Sequence, residues 1–213
     1  MKARVKQLAR EVVQRATRGR IVWRGPADAR RVALTFDDGP HAMTERYLAC
    51  LASLGAPATF FVMGYYVERR PDVVAEYLRG GHQVAGHGYY HKRFTRLSPG
   101  ALRDQLARTE AALGPVPHGR WVRPPHGSLG PVDGATMLAS GYTVAMWSFD
   151  SRDHDGAAAD VLAARCAPAR CRPGDVLLFH EGQATTLAAL PRVVDALRDG
   201  GFELVTMADL TAR

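Results

Sequence analysis

From Arg31 onward the chain alternates short β-branched or apolar runs with stretches in which apolar residues recur every three or four positions. The first pattern predicts strands over 31–36, 58–63, 82–86, 120–123, 142–148, 175–180 and 202–206. The second predicts helices over 44–54, 71–80, 99–113, 131–139, 157–165 and 187–199. Ser98 and Pro99 supply an N-cap and a first-turn proline for the third helix. Gly80-Gly81 and Gly200-Gly201 close two others, because glycine reaches the left-handed conformations that stop helices. Strands alternating with helices imply parallel pairing. Seven such units can bury their strands on both faces, so the expected fold is α/β, a closed or nearly closed (β/α)7 barrel.

Residues 1–30 stand apart from this alternation. Val5, Leu8, Val12, Val13 and Ala16 recur at helical spacing, and Lys2, Arg4, Lys6, Arg10, Arg15 and Arg18 form a polar face. Two readings stay open for this basic amphipathic arm: a terminal helix docked on the domain, or peripheral contact with anionic lipid or an acidic partner. The arm also carries the charge. Residues 1–31 hold ten Lys and Arg against Glu11 and Asp28, a net +8, so the remainder is about neutral within a total of +7. That leaves no basic groove in the body and argues against a nucleic-acid partner.

The other bounds are simple. A length of 213 residues, 46% hydrophobic and 23% charged, fits one folded domain over 31–213 behind the arm. No window near the start has the apolar core of a signal peptide, and none approaches a bilayer span, so the expected location is cytoplasmic, peripheral at the membrane if the arm binds lipid. Cys50, Cys166 and Cys171 make no disulfide framework; Cys166 and Cys171 are read as reduced thiols, with a disulfide between them as the alternative.

In a parallel barrel, chemistry gathers where strands end, and the candidate residues follow that rule. The first strand delivers Asp37-Asp38 into Gly39-Pro40. Adjacent side chains on an extended segment point to different sides, so the two carboxylates can divide labour. The third strand leads to His87 and His91, whose spacing places both rings on one side if the segment is helical or turn-like. Two neutral imidazoles and one carboxylate suit a zinc-like ion and leave open positions. The fourth strand runs into Arg123-Pro124-Pro125-His126-Gly127, the fifth into Trp147 through His154, and the sixth ends at Leu178-Phe179-His180. His41, His82 and His118 read as loop or surface residues.

This ordered set, with Ala58-Thr59-Phe60-Phe61-Val62 on the second strand, resembles the polysaccharide deacetylase family, the NodB-type domains of carbohydrate esterase family 4, over roughly residues 31–210. The resemblance implies a distorted (β/α)7 barrel of the deacetylase type and removal of acetyl groups from N-acetylated sugars. It implies Asp37 as general base, and Asp38, His87 and His91 as ligands of one divalent ion, zinc or else Co2+, Ni2+ or Mn2+. Arg123 would orient the base, His180 would be the general acid and Asp153 would tune it. Leu178 would line the acetyl-methyl pocket, with Pro125, His126 and His154 also facing substrate and a backbone N–H near His126 stabilising the oxyanion.

Three positions depart from the family pattern. Gly88 replaces a Ser or Thr of the metal motif, His126 an aromatic, and His154 the tryptophan that walls the acetyl pocket. The last keeps open O-acetyl esters or non-sugar amides as substrates. A non-catalytic glycan-binding domain is the remaining reading, opposed by the complete set of base, triad, arginine and acid.

Overall fold

A computed structural model describes residues 2–212. In chain order it contains α1 (Lys2–Ala16), β1 (Ile21–Val22), β2 (Arg31–Gly39), α2 (Thr44–Ser53), β3 (Thr59–Val62), α3 (Gly64–Val67), α4 (Val73–Arg79), β4 (Gln83–Gly86) and α5 (Pro99–Leu113). There follow β5 (Trp121–Val122), α6 (Pro131–Ala139), β6 (Thr143–Ala145), β7 (Phe149–Asp150), α7 (Ala159–Arg165), β8 (Val176–His180), α8 (Ala184–Asp199), β9 (Glu203–Val205) and α9 (Met207–Thr211). The sheet runs β1-β6-β5-β4-β3-β2-β8-β7, with β9 also on β2, and its pairings are parallel. It curls into the distorted (β/α)7 barrel of the sequence-based expectation.

Side-chain parity along the strands sorts the core into two layers. Val32, Leu34 and Phe36 of β2 face the surrounding helices with Phe60, Val62, Leu177 and Phe179. Phe36 stacks on Phe60 and Phe179 at centroid distances of 5.1 and 5.7 Å, and Tyr77 meets Phe60 at 4.4 Å. The alternate positions Ala33, Phe61, Ala85, Ala145 and Val176 fill the barrel interior. At one end α9 closes it: Met207 and Leu210 join the interior cluster, and the N–H groups of Met207 and Ala208 donate to Thr59 Oγ1 and Gln83 Oε1 at 2.9 and 2.8 Å.

Some expectations are revised. The run 142–148 is not one strand: β6 pairs with β5 and β1, then the chain bends through Met146-Trp147-Ser148 and β7 pairs with β8. This segment joins the two sides of the sheet. Ile21 and Val22, placed in the arm by a boundary at residue 30, pair with Val144 and Ala145 inside the sheet. His82 is buried, not superficial; its ring packs against Phe60, and its Nδ1 accepts the Ala58 N–H at 3.2 Å. Cys166 and Cys171 are free thiols, with burial pushing them up to about 12 and about 11. Among the described residues no helix is long and apolar enough to cross a membrane.

α1 docks on the body, but not by its apolar stripe. Gln14 accepts the Trp23 N–H at 2.9 Å and donates to the Arg24 carbonyl at 2.7 Å, Thr17 accepts the Ile21 N–H at 3.2 Å, and Arg10 lies 6.0 Å from the Trp23 ring centroid.

Because the fully buried Phe60 ring joins β3 to Phe36 of β2 and Tyr77 of α4, Phe60→Ala should cost about 3–5 kcal/mol of unfolding free energy. Urea denaturation followed by tryptophan fluorescence checks this; a loss below about 1 kcal/mol would mean the layer repacks around the gap.

Candidate active site

The interior parity that buries Ala33 and Phe61 also carries Thr35 and Asp37 inward on β2, and Leu178 and His180 on β8. Asp37 lies directly beside His180 in the strand register. At Asp38 the register of β2 against β3 shifts, and Asp38 adopts φ +72. Such a bulge re-aims a side chain. Asp37 and Asp38 consequently line the same cleft rather than opposite sides, which corrects the alternation expected of an undistorted strand.

The cleft has a volume of about 380 Å³ and is bordered by Asp37, Asp38, His87, His91, Trp147 and His180, among others. Asp38 Oδ1 lies 3.1 Å from His91 Nε2 and 3.5 Å from His87 Nε2, is itself buried, and has no hydrogen-bond partner. An unpartnered buried carboxylate oxygen facing two imidazole nitrogens is a donor set that fits a divalent cation. His87 is prepared for such a role. Its Nδ1 lies 2.9 Å from the Arg123 carbonyl, which leaves Nε2 as the lone-pair nitrogen, and burial lowers its pKa to about 3. The segment from His87 to His91 is not helical. Gly88 (φ +76) and His91 (φ +52) turn it instead, and the two rings sit 5.0 Å apart. Gly88 also explains its own departure from the family pattern, since a Cβ there would lie 3.0 Å from the Phe94 ring in a backbone conformation that side chains disfavour.

Behind the cleft, Arg123 is fully buried. Its guanidinium donates to Asp37 Oδ1 at 2.7 Å, Thr35 Oγ1 at 2.8 Å and the Met146 carbonyl at 2.9 Å, and lies 3.9 Å from the Phe61 ring centroid. Burial raises the Asp37 pKa, while the charge of Arg123, followed by that of His180, opposes the rise. On the other side, Asp153 accepts from His180 through both oxygens: Oδ1 lies 2.7 Å from the ring Nδ1, and Oδ2 takes the backbone N–H at 2.7 Å. Thr186 donates to the same Oδ2 at 2.8 Å. Asp153, His154 and His180 also cluster closely enough to suggest a metal site. These hydrogen bonds already engage Asp153, and the arrangement is that of a proton-holding pair.

Of the remaining expected residues, Leu178 borders the cleft, His126 (φ +60) lies at its edge with its ring 4.4 Å from that of His91, and Pro125 is buried and does not border it. His154 reaches the rim with its side chain 57% exposed, so it does not wall a closed pocket. Trp147, Gly127, Asp150 and Gln183 also border the cleft, although none was singled out from sequence. The Trp147 ring passes within 2.3 Å of where a Gly127 Cβ would stand, so the tryptophan keeps its place only because residue 127 is glycine. A second groove of about 810 Å³ shares Asp38, His91 and Gln183 with the cleft and continues past Tyr65, Tyr66 and Tyr90.

A parallel barrel with carboxylate, imidazole and arginine groups gathered at the C-terminal strand ends defines a hydrolase-type site. A family model described as polysaccharide deacetylase matches residues 24–145. A peptidoglycan-N-acetylglucosamine deacetylase of Bacillus cereus is 29% identical over 90% of this chain and 93% of its own length. A chitooligosaccharide deacetylase of Sinorhizobium fredii is 32% identical over 86% of this chain and 93% of its own. The crystal structure of a peptidoglycan N-acetylglucosamine deacetylase superposes with a TM-score of 0.84 at 28% identity, covering 90% of this chain and 92% of that one. The chain belongs to the polysaccharide deacetylase family, the hydrolytic carbohydrate deacetylases of carbohydrate esterase family 4.

Burial alone would lower the His180 pKa, but the hydrogen bond and charge of Asp153, with Asp37 and Asp38, raise it to about 9. Its protonation therefore stabilises the fold fully below about pH 6.5, the ordinary imidazole value, and that contribution is lost as pH rises through about 9. In chelator-treated protein, Asp153→Asn should lower the His180 midpoint in an NMR titration; a midpoint that stays near 9 would remove Asp153 as the cause.

Proposed function

We propose that this protein is a metal-dependent N-deacetylase of acetamido sugars in an N-acetylglucosamine-type glycan. The observation that carries the reading is the unpartnered Asp38 Oδ1 facing His87 and His91, set between the Asp37–Arg123 pair and the His180–Asp153 pair. Asp38, His87 and His91 would hold a divalent cation, with zinc the first choice for two imidazoles and a carboxylate. When bound, it supplies Lewis acidity, polarising the acetyl carbonyl and easing deprotonation of the attacking water.

The chain's own groups account for the proton movements. Asp37 takes the proton from water, its basicity raised by burial while Arg123 holds its other oxygen in place. His180, kept protonated by Asp153, gives its proton to the departing amine nitrogen, which leaves poorly as an anion. Gly127 donates its N–H to the Pro124 carbonyl and Ser128 donates to that of Pro125, so the oxyanion would take the N–H of His126. Leu178 and Trp147 would receive the acetyl methyl group. The tyrosine-bordered groove beside Asp38 supports a chain substrate, because sugar rings pack on aromatic faces, and two relatives are named for peptidoglycan N-acetylglucosamine and chitooligosaccharides.

The exposed rim position of His154 favours one alternative: the same machinery acting on O-acetyl esters or non-sugar amides. Comparing acetate release from N-acetylglucosamine oligomers and from acetylated xylan oligomers separates the two.

Acetate release from N-acetylglucosamine oligomers should require added zinc after chelation. Asp37→Ala should lower kcat by about 10²–10⁴-fold with the metal retained, whereas His87→Ala should lose both activity and stoichiometric metal. Metal binding that survives in His87→Ala contradicts the assigned ligand set; full activity in Asp37→Ala contradicts the assigned base.

A further inference from the structure

α1 leaves its apolar side without a partner. Val5, Leu8 and Val12 are 60%, 54% and 66% exposed, more than Val13, the other exposed large aliphatic residue of the helix. At 3.6 residues per turn they form one stripe with Ala16. The opposite side, Arg10, Gln14 and Thr17, makes the contacts that fasten the helix to Trp23, Arg24 and Ile21. The stripe cannot turn inward while those bonds hold. It is a fixed ridge pointing away from the barrel.

Cations border the ridge. On a helical projection Arg4 and Arg15 fall along one edge of the stripe, both exposed, with Glu11, the single acid between residues 4 and 18, just beyond them. An apolar stripe with two arginines along its edge matches the layering of an anionic bilayer surface, with acyl chains below the stripe and phosphates level with the arginines. At about 1.5 Å per residue, α1 is too short and too basic to span a bilayer but long enough to lie along one. Pairing with a second copy through the stripe would bring the arginines of both helices to the contact. We infer that α1 is an interfacial anchor that docks the protein on anionic lipid. The groove behind α1 reaches Gly127, which also borders the cleft, so the anchor and the cleft are neighbours on the molecule.

The test is co-sedimentation of the full chain with phosphatidylglycerol–phosphatidylcholine vesicles and with phosphatidylcholine vesicles alone. Binding should favour the anionic vesicles and fall as salt rises. The pair Leu8→Glu and Val12→Glu should reduce binding by about tenfold or more. Arg4→Gln with Arg15→Gln should weaken binding to anionic vesicles and leave the low binding to neutral ones unchanged. Thermal unfolding should match the parent in all variants, since these side chains face solvent. No preference for anionic vesicles, or binding that survives Leu8→Glu and Val12→Glu, would overturn the inference. So would a dimer in sedimentation equilibrium that those two substitutions dissolve, because the stripe would then be a self-association surface.

Discussion

The buried guanidinium of Arg123 is the constraint around which the site is built. Taking this charge out of water is costly unless its donors are satisfied, and removing one partner of such a pair costs about 3–5 kcal/mol. Asp37, Thr35 and the carbonyl of Met146 satisfy it. The Phe61 and Trp147 rings lie against it, with their centroids 3.9 and 5.8 Å away. The same residue also serves the other half of the site through its backbone, because its carbonyl orients His87. One arginine thus fixes the proposed base with its side chain and a candidate metal ligand with its main chain. The two functions share a single mechanical reference inside the barrel.

Around that rigid centre the functional groups sit on irregular backbone. Asp38, His91 and His126 all have positive φ, a region that non-glycine residues enter at a cost of order 1–3 kcal/mol when surroundings impose it. Each lies where a strand has just ended or slipped. Regular strands deliver residues to the rim, and local distortion then converges the side chains. The Asp38 bulge shows this most directly, since without it two neighbouring carboxylates could not line one cleft.

This division explains what could be read in advance. Alternation and helical period located the main strands and helices, and motif order located Asp37, Asp38, His87, His91, Arg123, Asp153 and His180. These signals are local and repeat along the chain. The features that escaped are short or tertiary. Ile21–Val22 is too brief to show a period, as are α3 and α9. The break at Trp147 carries no glycine or proline, because it arises from a change of neighbouring strand. Amphipathicity showed that α1 has two sides, but not that a glutamine would do the docking. The importance of Trp147 was hidden until Gly127 was seen to lie against it.

The bend at Met146-Trp147-Ser148 places the crossing between the two sides of the sheet next to a wall of the cleft, which Trp147 forms. Met146 supplies a carbonyl to Arg123, Trp147 stands over Gly127, and Ser148 donates to Asp175 from the far side of the crossing. Lengthening this segment would therefore displace the cleft wall and the carbonyl that Arg123 uses together. Past Ser151 and Asp153, which bond Leu178 and His180 of β8, the stretch between Asp155 and Ala159 is largely exposed and takes no part in those contacts. Insertions that remodel which glycans enter belong in that downstream loop, where diversity can accumulate without loosening the scaffold.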